Sequence, residues 1–289
     1  MMKDLRRILV PVDFSPPTED AVRYAGSLVA VAAGELHLLH VMRPPPLDYG
    51  LIEPDPERLH DYLERNRAAA SESLSRLAAT LPDGVDCICH VAEGEAAPEI
   101  LAYANQHRLD AVLMPTRGPN RLERVLLIGS VTMKVLHAFE GPVITATHFG
   151  GHLHAIPVGH VLCAVDLGPA SERVLCAAGR LAVSFGARLS IVHAAPIFGH
   201  VGNVYEDAWR ETVGLRLREQ LHALKERLHV QAETWVELDQ PARAISGVAL
   251  RLGADLVVIG RGEVDGLLGR LRADAHDIIR LSHCPVVSV

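Results

Sequence analysis

The chain contains itself twice. Residues 7–15, Arg-Ile-Leu-Val-Pro-Val-Asp-Phe-Ser, return as residues 160–168, His-Val-Leu-Cys-Ala-Val-Asp-Leu-Gly. Asp13 then matches Asp166 and His40 matches His193, both at an offset of 153. Further along, Leu109-Asp-Ala-Val-Leu-Met114 matches Ala254-Asp-Leu-Val-Val-Ile259, and the offset falls to 145. Gly141-Pro-Val-Ile-Thr finally matches Cys284-Pro-Val-Val-Ser at 143. Four blocks in one order, with small losses between them, mark two copies of one unit. The expected division is 1–147 and 158–289, joined by a linker over 148–157. At about 150 residues per domain, 289 residues suit that reading.

Each copy alternates short apolar runs with amphipathic ones. Ile8–Val12 reads as a strand covered on both faces, and Leu36–Val41, Val85–Val91, Ala111–Met114 and Val143–Thr147 as the strands that follow. Between them, helices are predicted after Ser15-Pro16, over Arg58–Leu81, over Pro98–His107 and over Ser130–His137. The first should bury Ala21, Val22, Ala25, Leu28, Val29 and Ala32 and end at Gly34. The long one should bury Leu59, Tyr62, Leu63, Leu74, Leu77 and Leu81. Strands alternating with helices imply an α/β fold, a parallel sheet covered on both faces. Ligands of such sheets sit beyond the carboxyl ends of the strands, here near Asp13, Val41 and the segment after Met114.

That segment runs Met114-Pro-Thr-Arg-Gly118 and onward to Gly129-Ser130-Val131-Thr132. A Gly-Ser pair at a helix start offers unpaired N–H groups and the positive end of the helix dipole to an anion. The Ser130 and Thr132 hydroxyls and Arg117, Arg121 and Arg124 add donors and charge. The plainer reading is a helix start beside a surface loop.

With these blocks the chain resembles a universal stress protein in its tandem form, over nearly all of its length. The resemblance implies two open five-stranded parallel-sheet domains related by a pseudo-two-fold, with the final strands pairing antiparallel. It implies adenine-nucleotide binding (ATP, ADP or AMP, with or without Mg²⁺) through a Gly-x2-Gly-x9-Gly-Ser/Thr loop. Carried over residue by residue, the first copy's site is Pro11, Asp13, Val41, Met114, Gly118, Gly129, Ser130, Val131 and Thr132. It departs from the family pattern at Pro115, in place of the first glycine, and by one extra residue before Gly129. The second copy keeps Asp166, Gly260 and Gly262 but has Ala194 for the valine and Arg272-Ala273 for Gly-Ser. Glu263 and Asp265 oppose a phosphate there, whereas Arg261, Arg270 and Arg272 could hold another anion.

The function expected is a non-catalytic nucleotide sensor in a stress response; a slow ATPase or a nucleotide-free scaffold are the alternatives. No lysine stands in a phosphate loop and no nucleophile pair is spaced for catalysis. A net charge of −7, with Lys+Arg 28 against Asp+Glu 35, argues against nucleic acid as partner. No apolar run reaches the ~18 residues of a membrane span, and no signal peptide is read at the start. The odd set Cys87, Cys89, Cys163, Cys176 and Cys284 suggests reduced, buried thiols in a cytoplasm. His148, His152 and His154 could ligate Zn²⁺, but in a chain with 16 His a polar linker is the simpler reading and no metal is assigned. Trp209 and Trp235 read as ordinary packing. A homodimer is left open.

Overall fold

The computed structural model describes residues 5–43, 56–116, 128–146, 158–196, 204–261 and 273–289. The first half runs β1 (Arg7–Pro11), α1 (Pro16–Ala32), β2 (Glu35–Met42), α2 (Pro56–Ala78), β3 (Asp86–Glu93), α3 (Ala96–Gln106), β4 (Ala111–Pro115), α4 (Ser130–Ala138) and β5 (Val143–Ala146). The second repeats the order as β6 (His160–Ala164), α5 (Ser171–Phe185), β7 (Arg188–Ala194), α6 (Val204–Arg227), β8 (Glu233–Glu237), α7 (Pro241–Leu252), β9 (Leu256–Ile259), α8 (Ala273–Leu281) and β10 (Val286–Ser288).

The ten strands form one sheet in the order β3-β2-β1-β4-β5-β10-β9-β6-β7-β8. Each half is parallel inside, and the halves meet where β5 and β10 pair antiparallel, Ile144 opposite Val287. Alternation along the strands explains the fully apolar runs. Ile8, Val10, Leu36, Leu38 and Leu113 enter one core, and Leu9, Leu39, Val112 and Met114 the other. Both cores continue into the second half, through Val161 and Cys163 on one face and Leu162 and Ala164 on the other. α1 and α5 cover the first core, and α3 and α7 the second. Equivalent helices therefore share a face, so the local two-fold stands normal to the sheet between β5 and β10.

The repeat extends to single contacts. Asp110 Oδ2 accepts from the N–H groups of Arg6 and Arg7, and Asp255 Oδ2 from those of Gly159 and His160. Phe14 and Leu167, one offset apart, both take positive φ (58° and 59°) where the first strand of each half turns into its helix.

Several expectations need correction. Ser15 sits at the N-cap of α1, but its hydroxyl donates to Asp13 and accepts no capping bond from a helix N–H. α1 ends on Ala33 at φ 46°; Gly34 follows because a Cβ there would lie 2.0 Å from Arg6 O. Ala32 is only half-buried, Tyr62 is 51% exposed, and Leu81 lies beyond α2. Trp209 is 61% exposed and not packed. Trp235 is half-buried, with Arg251 Cζ 5.6 Å from its ring centroid. Cys163 and Cys284 are buried, but Cys87 is half-buried and Cys89 and Cys176 are exposed. The pair on β3 shares a face as expected, yet β3 is an edge strand whose face α2 covers only in part.

Candidate functional site

The sequence places its site at the carboxyl ends of β1, β2 and β4, and the sheet brings those ends side by side. β1 lies between β2 and β4. Val12 N–H extends the ladder to Leu39 O at 2.8 Å, and His40 Nδ1 lies 2.7 Å from Val12 O, tying the end of β2 to the turn after β1. The second half repeats this with His193 Nδ1 2.9 Å from Val165 O. The Phe14 ring lies 4.6 Å from that of His40, centroid to centroid.

This turn fixes Asp13. Its Oδ1 accepts from Ser15 N–H at 3.0 Å, from Ser15 Oγ at 2.6 Å and from Thr18 Oγ1. All three bonds fall on one oxygen. Among the described residues Oδ2 accepts none, and the side chain is exposed. Asp13 is thus a carboxylate held rigidly by one oxygen and able to accept from a ligand with the other. Asp166 keeps two of the corresponding bonds, from Gly168 N–H and Ser171 Oγ.

β4 supplies the second wall. Met114 is buried, and Val41 and Val131 are half-buried against the same core. Pro115 ends β4 opposite Ala146, and its carbonyl accepts from Thr132 Oγ1 at 3.1 Å. The Thr132 hydroxyl proton is therefore used within the fold, which corrects its expected place among the anion donors. Thr116 O accepts from Gly129 N–H at 2.9 Å, which ties the end of β4 to the start of α4.

α4 begins there. Its N-cap is Gly129, which has no side chain to satisfy the first N–H groups, and its first residue, Ser130, is exposed. Gly129 is at φ −56°, and among the described residues a Cβ there would meet only Thr132 Oγ1 at 3.7 Å and Thr116 O at 3.8 Å. Neither strain nor crowding among the described residues requires a glycine. What the arrangement offers is an uncapped helix N-terminus, suited to an anion, on the strand beside Asp13.

Gly118, Gly262 and the histidines His148, His152 and His154 lie outside the described residues. Among the described residues no group of three or more His, Cys, Asp or Glu side chains is placed to hold a metal ion. No described helix is long and apolar enough to cross a membrane.

The second half departs at the same place. Gly260 stands at the end of β9, where an added Cβ would lie 3.0 Å from Val174 Cγ2. The residue one offset before Val174 is Ala21, and that before Gly260 is Pro115. The small partner has changed sides. Arg261 is not an anion reader. It is 3% exposed, and its guanidinium donates to Ser288 O, Leu136 O, Phe139 O and Gly141 O. It binds the carboxyl-terminal turn of α4 and the approach to β5, both in the first half. Its equivalent, Thr116, uses its hydroxyl on Ala146 O at 3.1 Å. Residues the sequence reading passed over are Thr18, His40 and Thr116; the His40–His193 match was the one available sign.

The model of the Universal stress protein family matches residues 4–146 and 157–289. A universal stress protein of Mycolicibacterium smegmatis is 28% identical over 277 residues, which cover 91% of this chain and 90% of that one. Universal stress protein YxiE of Bacillus subtilis is 31% identical over 143 residues, 45% of this chain and 97% of its own. Among solved structures, a universal stress protein from Archaeoglobus fulgidus superposes with a TM-score of 0.66 at 20% identity, covering 97% of this chain and 94% of that one.

Proposed function

We infer that this chain, which belongs to the universal stress protein family in both of its halves, binds an adenine nucleotide in the first half and acts as a non-catalytic sensor. The supporting observation is the pairing of two groups on neighbouring strands. Asp13 has one oxygen committed to its own turn, and the α4 N-terminus carries no side-chain cap. The first can accept from a ribose hydroxyl or a base N–H, and the second can take phosphate. Val41 and Met114 give the apolar wall between them. Mg²⁺ would accompany the phosphates, held by them and not by a protein cage.

Hydrolysis requires a placed metal, a fixed γ-phosphate and an aligned water. Pro115 brings no N–H to that task, and Thr132 spends its proton on Pro115 O. The reading is therefore retention of bound ATP, with turnover far below the ~1–10³ s⁻¹ of ordinary enzymes. The second half serves as structural partner, since Arg261 is turned to the interface.

Calorimetry with ATP on the full chain tests this through Gly129→Asp. The added carboxylate suits an N-cap, so stability should hold or rise by about a few tenths of a kcal/mol. The same charge faces the phosphate, so ATP affinity should fall by at least ~10-fold. Asp13→Ala should also weaken binding, by about 1.5–3 kcal/mol for a lost bond to a charged group. ATP binding that Gly129→Asp leaves unchanged would overturn the reading, as would phosphate release above about one per second.

A further inference from the structure

The strand ends opposite the second half's own nucleotide-type site carry a groove of about 920 Å³. It opens between the end of α5, the starts of β6 and β7, and the turn from α6 into β8. The first half shows what this corner looks like when it is closed. There a Cβ on Gly26 would lie 2.5 Å from Leu81 Cδ2 and 3.4 Å from Pro82 Cδ, so the glycine lets the chain after α2 pack down. Arg7 is neutralised by Glu35 at 2.5 Å, and Glu35 also meets His37 Nε2 at 3.0 Å.

In the second half the glycine is kept and its occupant is gone. Gly179, one offset from Gly26, stands in the middle of α5, where a Cβ would meet no described atom within 4 Å. A glycine inside a helix weakens it relative to alanine, and neither backbone angle nor packing among the described residues explains this one. The charge is reversed as well. Arg188 stands in the place of Glu35, Ser190 in that of His37 and His160 in that of Arg7. Arg188 Nη2 reaches only His160 Nδ1, at 3.4 Å, among its described hydrogen bonds. Arg180, on the groove wall, has a buried Nε with no hydrogen-bond partner among the described residues. The lining holds one carboxylate, Glu233, against these two guanidiniums. The lining also holds the aliphatic side chains of Leu189, Leu228 and Val230, and no Phe, Tyr or Trp. The volume falls in the ~300–1,000 Å³ of small-molecule sites. The rings in the lining are the imidazoles of His160, which is buried, and His229; the aliphatic wall beside two guanidiniums suits a chain with an anionic head.

We propose that this groove binds a single-chain amphiphile with an anionic head, the head on Arg180 and Arg188 and the chain over Gly179 along Leu189, Leu228 and Val230. The nucleotide reading of the first half can fail without touching this one, since the two share no residue.

The test is calorimetry of the full chain with decanoate, decyl phosphate, decanol and inorganic phosphate, each below any micelle concentration. One of the two amphiphilic anions should bind in the micromolar range, and which one binds more tightly identifies the head as carboxylate or phosphate. Decanol and inorganic phosphate should each be at least ~10-fold weaker. Gly179→Leu, which refills the groove as Leu81 does in the first half, should abolish binding. Arg188→Glu, which restores the first half's residue, should weaken it at least ~10-fold. The proposal is overturned if neither anion binds, if decanol matches them, or if binding survives either substitution unchanged; Arg188→Glu decides alone should Gly179→Leu fail to fold.

Discussion

At the scale of single residues, the same amino acid behaves according to the strand it sits on. Cys87 and Cys89 were readable as neighbours on one face, because side chains alternate along a strand. Their exposure was not readable, because no local pattern says that β3 is the sheet's edge. The consequence is chemical. A hydrogen bond from Cys87 brings the Cys89 thiol down to about 7, while burial pushes Cys163 up and Cys284 up to about 12. Since the thiolate is the nucleophile, iodoacetamide at pH 7 should modify Cys89 at least ~10-fold faster than Cys163 or Cys284, as read by peptide mass spectrometry. Equal labelling of all three would contradict the structure. His37 shows burial acting with the opposite sign. Burial lowers its imidazole below the usual 6.5, and the hydrogen bond to Glu35 only partly opposes this. Glu35 is held below 4.5, first by His37 and then by Arg7. In both cases the unfolded chain takes the proton more readily, so stability rises with pH. The His37 contribution is complete above about 6.5 and is lost as pH falls from there; the Glu35 contribution is lost below about 4.5. Urea midpoints between pH 7 and 5 should therefore fall in the native chain and fall less in His37→Gln. An equal slope in the two would remove His37 from the account.

At the scale of elements, the apolar runs and the repeat made the strands legible to within a residue or two, since a strand buried on both faces has few other solutions. Helix ends were less legible. Gly34 looked like the residue in left-handed conformation that closes α1, but Ala33 holds that conformation and Gly34 is there for the approach of Arg6 O. The second half separates the two roles differently, with Gly186 at φ 62° in the place of Ala33. One half therefore predicts how to improve the other. Ala33→Gly removes the cost of a Cβ at positive φ and should stabilise the chain by about 0.5–1 kcal/mol in urea unfolding. Gly34→Ala should do the reverse, because its Cβ meets backbone and not a flexible side chain. Destabilisation by Ala33→Gly would mean that entropy gained in the unfolded chain outweighs the relieved strain. The candidate site was legible in the same uneven way. Asp13 and the Gly129-Ser130 helix start follow from their motifs, whereas the use of Thr132 on Pro115 O depends on how α4 settles against β4.

At the scale of the whole molecule, the join between the halves is small for what it connects. β5 and β10 share three residue pairs, and the two cores run through them. Arg261 reinforces this join from the second half. A cation at the carboxyl end of α4 meets the negative end of the helix dipole, and its donors serve Leu136 O, Phe139 O and Gly141 O. Nothing in the repeat announced it, because the equivalent residue is Thr116 and the partner carbonyls lie more than a hundred residues away. Replacing Arg261 with Met keeps the stem but leaves those carbonyls without their donor, at a cost of about 2–4 kcal/mol. The expected outcome is a loss of coupling as well as of stability. Both tryptophans, Trp209 and Trp235, belong to the second half. Fluorescence thus follows that half, while far-UV circular dichroism follows all eight described helices. In the native chain the two signals should move together through one urea transition. In Arg261→Met they should separate, with the second half, which loses its own buried side chain, unfolding at the lower denaturant concentration. Coincident curves with an unchanged midpoint would show that the β5–β10 pairing and the shared cores couple the halves without the arginine.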